Sequence, residues 1–277
     1  MGLRISTNVA SINAQRWMGA ETRELNKSFA QLSSGSRITK SADDAAGLSI
    51  SENLKSTIRG YQQAQRNAND GMSMVQVAEG GLGEISNILT RMRELGVQAS
   101  SDTVGDEERG FINKEIQQLK NESERIAQVT RYGKTALLTG EGSPYDIQVD
   151  INNDDFKDRI QFDASSFKAT TADLGIADFD FSDKMDARHA LETIEESQKK
   201  VNGYRATLGA IQNRLISTTE NLGVAIENFS AANSRIRDTD IAQSSAELSR
   251  NNILMSASVG VLAQANQQPA AALKLIG

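Results

Sequence analysis

The sequence predicts a mainly α-helical protein. Long heptad-patterned helices pack as an elongated coiled-coil bundle with one small β-hairpin region, and terminal helical arms pair in an assembly. Three observations carry this expectation. Apolar residues step by seven along two long tracts. The two prolines, Pro144 and Pro269, leave 1–143 and 145–268 free of the residue that costs a helix interior ~3 kcal/mol. After Gly140, a short stretch switches to a two-residue apolar period.

The longest stripe is Ile194, Val201, Leu208, Leu215, Leu222, Phe229 and Ile236, with a patchier seam at Tyr204, Ile211, Ala225 and Ala232. Seams offset by three and four residues share one helix face. At ~1.5 Å per residue the stripe is a rod of roughly 65 Å, which needs an equally long partner. Leu54, Tyr61, Ala68, Val75, Leu82 and Leu89 supply one. Their companions Thr57, Ala64, Gly71, Ala78, Ile85 and Met92 are mostly small in the middle, which predicts close approach of two helices. A third, shorter set is Ile112, Leu119 and Ile126. Ordinary helices average about a dozen residues, so these runs point to long rods.

In chain order, residues 1–33 are weakly amphipathic. Ile5, Val9, Ile12, Leu25, Phe29 and Leu32 are separated by Ser, Asn, Gln and Ala. Such a stripe buries too little to offset its ordering entropy, so the arm is expected to be disordered alone and helical when covered. Ser33-Ser34-Gly35-Ser36 reads as a turn. Ser41 with Asp43 and Asp44 reads as a capping box opening a helix that runs to about Ala99. Gly105 punctuates, Asp106 to Val129 is the next helix, and Tyr132-Gly133 ends it. Tyr145, Ile147, Val149 and Ile151 form a strand, Asn152 to Asp155 a turn, and Ile160 and Phe162 the returning strand. Loops reach about Asp186, where the longest helix starts. The tail from Ile241 mirrors the first arm, with Leu248, Met255 and Leu262 among polar residues. The expected segments are therefore 1–44, 45–140, 141–185, 186–237 and 238–277. If the two main stripes pair antiparallel, both ends lie together, a natural layout for a subunit that polymerises through its termini.

Composition narrows the function. Only 38% of the 277 residues are hydrophobic and 5% aromatic, a thin supply for a self-sufficient core. The deficit suggests that other chains complete part of the apolar surface. A net charge of −6 with interspersed signs argues against nucleic acid or an anionic membrane as partner. Cysteine is absent, so neither disulfides nor thiolate chemistry enter. No apolar run is long enough for membrane insertion. Met1 to Ser6 formally fits an acylation pattern that short segments match by chance.

No constellation suggests catalysis, a cofactor or a metal. His189 is the single histidine and sits beside Arg188 at a helix start, so it reads as solvent-facing. Gly133-Lys134-Thr135 lacks the first glycine of a phosphate loop, because position 128 is Gln128. Gly80-Gly81-Leu82-Gly83 lies inside a heptad helix and not after a strand, so close packing explains it better than a dinucleotide. The pairs Asp43-Asp44 and Asp154-Asp155 read as cap and turn residues.

Several motifs resemble a known family. Leu32 to Ile38 (LSSGSRI) and Asp43 to Ile50 (DDAAGLSI) are similar to the amino-terminal signature of bacterial flagellins. So are Asn67 to Gly71, Ala78-Glu79-Gly80 and Arg91 to Leu95. Leu208 to Leu215, Ser234 to Asp238 and Leu262 to Gln267 match the carboxy-terminal pattern. The resemblance implies a filament subunit in which 1–44 and 238–277 form the inner D0 layer and the heptad helices and hairpin form D1. Only about 45 residues lie between the conserved halves, so it resembles a short member without large outer domains. It further implies export through the flagellar type III apparatus to an extracellular flagellum, and a chaperone on the carboxy-terminal arm. Hook-associated junction and cap proteins are implied as partners. It also implies a host Toll-like receptor contact at Arg91, Leu95 and Glu115, with Thr90 and Gly96 departing from the usual glutamine and alanine.

Arg37, Ser41, Asp43 and Asp44 are expected to form a joint between the layers. A junction protein sharing the terminal pattern would match these internal motifs less well. A helical adaptor rod would need an anchor or a recognition module, and an enzyme would need convergent polar groups.

Overall fold

The computed structural model describes residues 7–274, with side chains described as far as Gln267. The Met1 to Ser6 pattern and Ile5 lie outside the described residues. Six α-helices and four short strands occur among the described residues. They are α1 (Val9–Ser34), α2 (Ala45–Ala99), α3 (Asp106–Val129), β1 (Arg131–Tyr132), β2 (Thr135–Ala136), β3 (Pro144–Gln148), β4 (Arg159–Asp163), α4 (Thr171–Leu174), α5 (Lys184–Arg237) and α6 (Ile241–Lys274). The fold is mainly α, as the heptads and the scarcity of proline predict. The chain divides into two compact units: Thr57–Glu227 is one, and the stretches up to Ser56 and from Asn228 form the other.

Within the Thr57–Glu227 unit, α2 and α5 run antiparallel. Gln198 Nε2 donates to Thr90 Oγ1 at 3.3 Å, Arg93 faces Glu195 at 3.7 Å, and Gly223 stands opposite Gln65. Residue numbers thus rise on one helix as they fall on the other. Val75, Leu82, Leu89, Ile194, Val201, Leu208 and Leu215 are fully buried between the elements, and Leu222 is buried at the edge. Tyr61 is half-buried. On α3, Ile112, Ile116 and Ala127 are buried while Leu119 and Ile126 are half-buried. The buried seam follows the 3.6-residue period there, so a strict seven-residue reading drifts off it.

The hairpin β3–β4 pairs Tyr145 with Phe162 and Ile147 with Ile160. Val149 continues the pairing through one bond, its amide donating to Asp158 O at 2.8 Å, but Val149 and Ile151 lie beyond the strand. Phe162 stacks on Phe167 at 5.3 Å, and Phe167 meets the edge of Tyr204 at 5.8 Å. The hairpin rests on small residues of α2. A Cβ on Gly71 would stand 2.6 Å from Ile147 Cδ1, and one on Gly60 2.5 Å from Ile151 Cγ2. At Gly71, one of the small positions expected to admit a second helix, the space admits a hairpin side chain instead. Two elements escaped the sequence pattern. One is the two-residue hairpin β1–β2, turned by Gly133 at φ 61°; the other is α4, in a stretch that reads as loop.

In the other unit, α1 and α6 lie side by side and antiparallel. Asn8 Nδ2 donates to Ala265 O at 2.7 Å, Ser11 Oγ to Asn266 Oδ1 at 2.8 Å and Asn251 Nδ2 to Ser28 Oγ at 3.4 Å. Leu54, Phe229 and Ile236 are half-buried there.

The start of α2 corrects the capping expectation. Asp44, not Ser41, is the cap: its Oδ1 accepts from Gly47 N at 2.8 Å and its carbonyl from Leu48 N at 3.0 Å. Ser41 is exposed in the preceding turn. Both residue types cap well, and the turn geometry selects the one three positions before the free amide.

Candidate functional site

The residues that reach outward form three sets. The first is on α1 and α6. The seam between these helices is polar: the buried residues of α1 are Ser11, Ala14, Ser28 and Gln31. Large apolar side chains of the two helices stay exposed instead. Trp17 is 63% exposed, Phe29 64% and Ile253 69%. Between the helices an open groove of about 320 Å³ is lined by Ala10, Ala14, Trp17, Leu254, Ala257 and Val261. Apolar surface gathered this way marks a surface that other chains cover.

The second set is the expected joint. Arg37 donates its amide to Arg237 O at 2.6 Å and its Nη2 to Ile236 O at 2.9 Å. Asp43 turns back on the preceding turn, its Oδ2 accepting from Thr39 N at 3.0 Å, Thr39 Oγ1 at 2.9 Å and Lys40 N at 2.9 Å. The Lys40 amide above all, then the Thr39 hydroxyl, holds this carboxyl below its ordinary value of 3.8. Asp44 begins α2, and Ser41 makes no side-chain contact in this network. The structure therefore brings together Arg37, Asp43 and Asp44 as neighbouring pieces of one turn, with Ser41 at its surface.

The third set is Arg91, Leu95 and Glu115. Arg91 Nε donates to Glu115 Oε1 at 3.0 Å, its Nη2 lies 2.9 Å from the same oxygen, and its Nη1 reaches Glu94 at 3.1 Å. The bond to Glu115, followed by that to Glu94, raises the guanidinium pKa further. Arg91 and Glu115 are exposed and joined across α2 and α3. Leu95 is 3% exposed and belongs to the core. Its burial was legible, since Leu95 lies three residues after Met92 on the same stripe.

One buried charged residue carries no signal in the heptads. Arg109 is 7% exposed. Its Nε donates to Ala99 O at 3.0 Å, its Nη2 to Ser101 O at 3.1 Å, and its Nη1 meets Asp106 at 2.7 Å. It thereby satisfies carbonyls at the end of α2 and closes the turn into α3. The Asp106–Arg109 spacing just after a helix end is the sequence signal that points to it.

Nothing among these sets resembles a reaction centre. His189 is exposed. Asp154 accepts from Phe156 N and Lys157 N, each at 3.0 Å, as a turn residue does. Among the described residues no group of three or more His, Cys, Asp or Glu is arranged to hold a metal ion. No helix among them is long and apolar enough to cross a membrane.

Long antiparallel helices, a terminal pair that leaves large apolar side chains exposed, and two sets built from caps and surface ion pairs define a structural subunit. Residues 5–143 match the bacterial flagellin N-terminal helical region, and residues 191–276 the bacterial flagellin C-terminal helical region. The chain is 43% identical to a flagellin of Halalkalibacterium halodurans over 98% of its own length and 99% of that protein's. It is 37% identical to a flagellar filament 33 kDa core protein of Treponema phagedenis, over 98% and 99%. The crystal structure of Bacillus cereus flagellin matches 57% of this chain and 88% of that one at 32% identity and a TM-score of 0.49. The chain belongs to the bacterial flagellin family and is a short structural subunit of the flagellar filament.

Proposed function

We propose that the terminal arms, residues 1–44 and 238–277, form the inner D0 layer of the filament, and that residues 45–237 form its D1 layer. The observation that carries this reading is the exposed Trp17, Phe29 and Ile253 beside a seam of serines and alanines. These helices expose apolar area that only neighbouring copies would cover, and each buried large side chain contributes ~1.5–3 kcal/mol. The chain works outside the cell after export, as a structural polymer and not an enzyme. Electron microscopy of purified subunits in ammonium sulfate tests the reading. Long filaments of flagellar width are expected, with a gain in helical circular dichroism on assembly. A polymer whose helicity equals that of the free subunit would rule out arms that order on assembly.

The same surface suits the remaining partners. An export chaperone that masks α6 keeps Ile253 and Val261 from premature contact, and junction and cap proteins meet the ends of the same polymer. For a Toll-like receptor, the surface on offer is the joined Arg91 and Glu115, with Leu95 acting from beneath as a support of α2. Pull-down with the receptor ectodomain tests this. Arg91→Ala should weaken capture of the free subunit, and unchanged capture would dismiss the assignment.

A further inference from the structure

The two longest helices concentrate glycine at the same level. Gly80, Gly81 and Gly83 lie within one turn of α2, and Gly203 and Gly209 within two turns of α5. The register that joins Thr90 to Gln198 and Gln65 to Gly223 sets Gly80 opposite Leu208 and Gly83 opposite Arg205, between the two glycines of α5. Backbone conformation does not require glycine here, since the positive-φ glycines are Gly35, Gly133, Gly140 and Gly175. Space requires it only at Gly81, where a Cβ would stand 2.6 Å from Thr130 Oγ1 and 2.8 Å from Leu138 Cδ1. At Gly80, Gly83, Gly203 and Gly209 a Cβ would meet nothing within 4 Å. Glycine inside a helix lowers the helix–coil equilibrium about four- to fivefold relative to alanine. These positions therefore weaken both helices side by side, and packing does not explain them.

The third layer gives this level no continuous splint. Helix α3 ends at Val129, and its cap residue Thr130 is the group that stands against Gly81. Nearer the start of α2 the β3–β4 hairpin takes over, with Ile147 at Gly71 and Ile151 at Gly60. The layer thus changes from helix to hairpin where both long helices are weakest. Polar ties between α2 and α5 lie to one side of it, at Arg93 with Glu195 and Thr90 with Gln198. Among the described residues, no side-chain hydrogen bond or ion pair joins the two helices between Thr90 and Gln65. What crosses there is apolar, and Leu82 and Leu208 are fully buried.

We infer that the Thr57–Glu227 unit carries a flexural joint at this level, where α2 and α5 open together on their solvent side while the segments on either side stay folded. Leu82 and Leu208 form its pivot. A helix bends where its hydrogen-bond ladder is weak, and the bonds on the solvent side lengthen first. Gly80 and Gly203 are exposed, which puts the weakness on that side. Opening of this kind is local and lies below the free energy of unfolding the whole unit. It requires neither terminal arm and no second copy. In a polymer the same joint lets copies differ in tilt without losing their core. That use rests on the filament reading above, and the joint itself does not.

The pair Asn202–Gly203 supplies a chemical probe inside the joint. Asn202 is exposed on α5. Once the backbone leaves helical geometry, Gly203 N attacks Asn202 Cγ and ammonia leaves. Water then opens the resulting imide to Asp or isoAsp. The closed helix holds the two atoms out of line, so the rate of conversion reports how often α5 opens at this point.

Hydrogen exchange of the free full-length subunit, resolved by mass spectrometry, tests the joint. Amides of 79–85 and 203–209 should be at least about tenfold less protected than the flanking stretches of the same two helices. Gly80→Ala with Gly83→Ala should raise protection about twentyfold in both stretches, and Asn202 on the other helix should convert more slowly in step. Gly110→Ala is the control, because its Cβ also meets nothing within 4 Å but lies on α3. It should leave both readouts unchanged. Even protection along both helices would overturn the joint. A response confined to α2 would overturn it too, since the helices would then be separate soft spots. An equal response to Gly110→Ala would mean that the unit opens only as a whole. Unchanged exchange in the double variant with loss of its polymer would overturn the joint and assign the glycines to a contact between copies. A parent that exchanges as expected but forms no filaments would count against the filament reading and leave the joint standing.

Discussion

Ile147 occupies the place where a side chain on Gly71 would stand. Its Cδ1 lies 2.6 Å from the position of a Cβ there, so hairpin and α2 interlock at the one residue type that leaves room. The usual effect of replacing a helical glycine by alanine is therefore reversed at this point.

Gly71→Ala should destabilise the Thr57–Glu227 unit by ~1–3 kcal/mol through overpacking. Gly80→Ala, where nothing lies within 4 Å of a built Cβ, should stabilise it by ~0.5–1 kcal/mol. Thermal melts of the two variants give opposite signs if the interlock is real. A stabilised Gly71→Ala would mean the hairpin does not rest on α2.

The long stripe of α5 should show a gradient. Leu215 is fully buried, so Leu215→Ala should cost ~2–5 kcal/mol. Leu222 is 6% exposed and lies beside an open cavity of about 270 Å³, so Leu222→Ala should cost less. Denaturant midpoints measure both. Equal losses would show that the stripe is uniformly packed.

At the joint, Asp44→Ala removes the cap of α2 and should cost ~1 kcal/mol, while Ser41→Ala should be neutral within ~0.5 kcal/mol. A loss of this size leaves the core folded, yet every copy in a polymer repeats the altered turn. Filaments of Asp44→Ala should therefore show changed curvature or poorer assembly when the same samples are imaged. Normal filaments with a destabilised core would mean the residue only caps.

The Asp43 carboxyl sets an acid limit on the same turn. Its pKa in the fold is held below 3.8, mainly by the Lys40 amide and then by Thr39. Ionised Asp43 therefore contributes stability above pH ~4, and that contribution fades as pH falls from 3.8 through the lower folded value. Asp43→Asn should flatten the stability profile over that window and leave the slope above pH 5 unchanged. Parallel profiles for variant and parent across pH 2–5 would show that the carboxylate does not hold the turn.

Long elements were legible because many residues vote for each. The limits of α3 follow from Gly105, the acids Asp106, Glu107 and Glu108 after it, and loss of the stripe beyond Val129. The β3–β4 hairpin followed from a clean two-residue period. Two-residue strands and the single turn of α4 offer no period to read, and what orders them is tertiary: Glu124 of α3 accepts from Thr171 N and Oγ1, each at 2.8 Å, and fixes the start of α4. Ser41 and Asp44 could not be ranked as caps without the turn between them. The Arg91–Glu115 pair joins residues on two helices, and heptads describe one helix at a time. It was named through the family motifs, and its direct bond emerged from the packing.

The antiparallel run of α2 against α5 also has a kinetic side. Thr90 and Gln198 touch across 108 positions, so the apolar stripe of α2 has no long partner until nearly the whole chain is present. A fold built on such distant contacts forms slowly compared with a bundle of local hairpins. Until α5 arrives, α2 can pack only on α3 and on the β3–β4 hairpin. The full length of the rod is stiffened in one late step, when α5 closes along it.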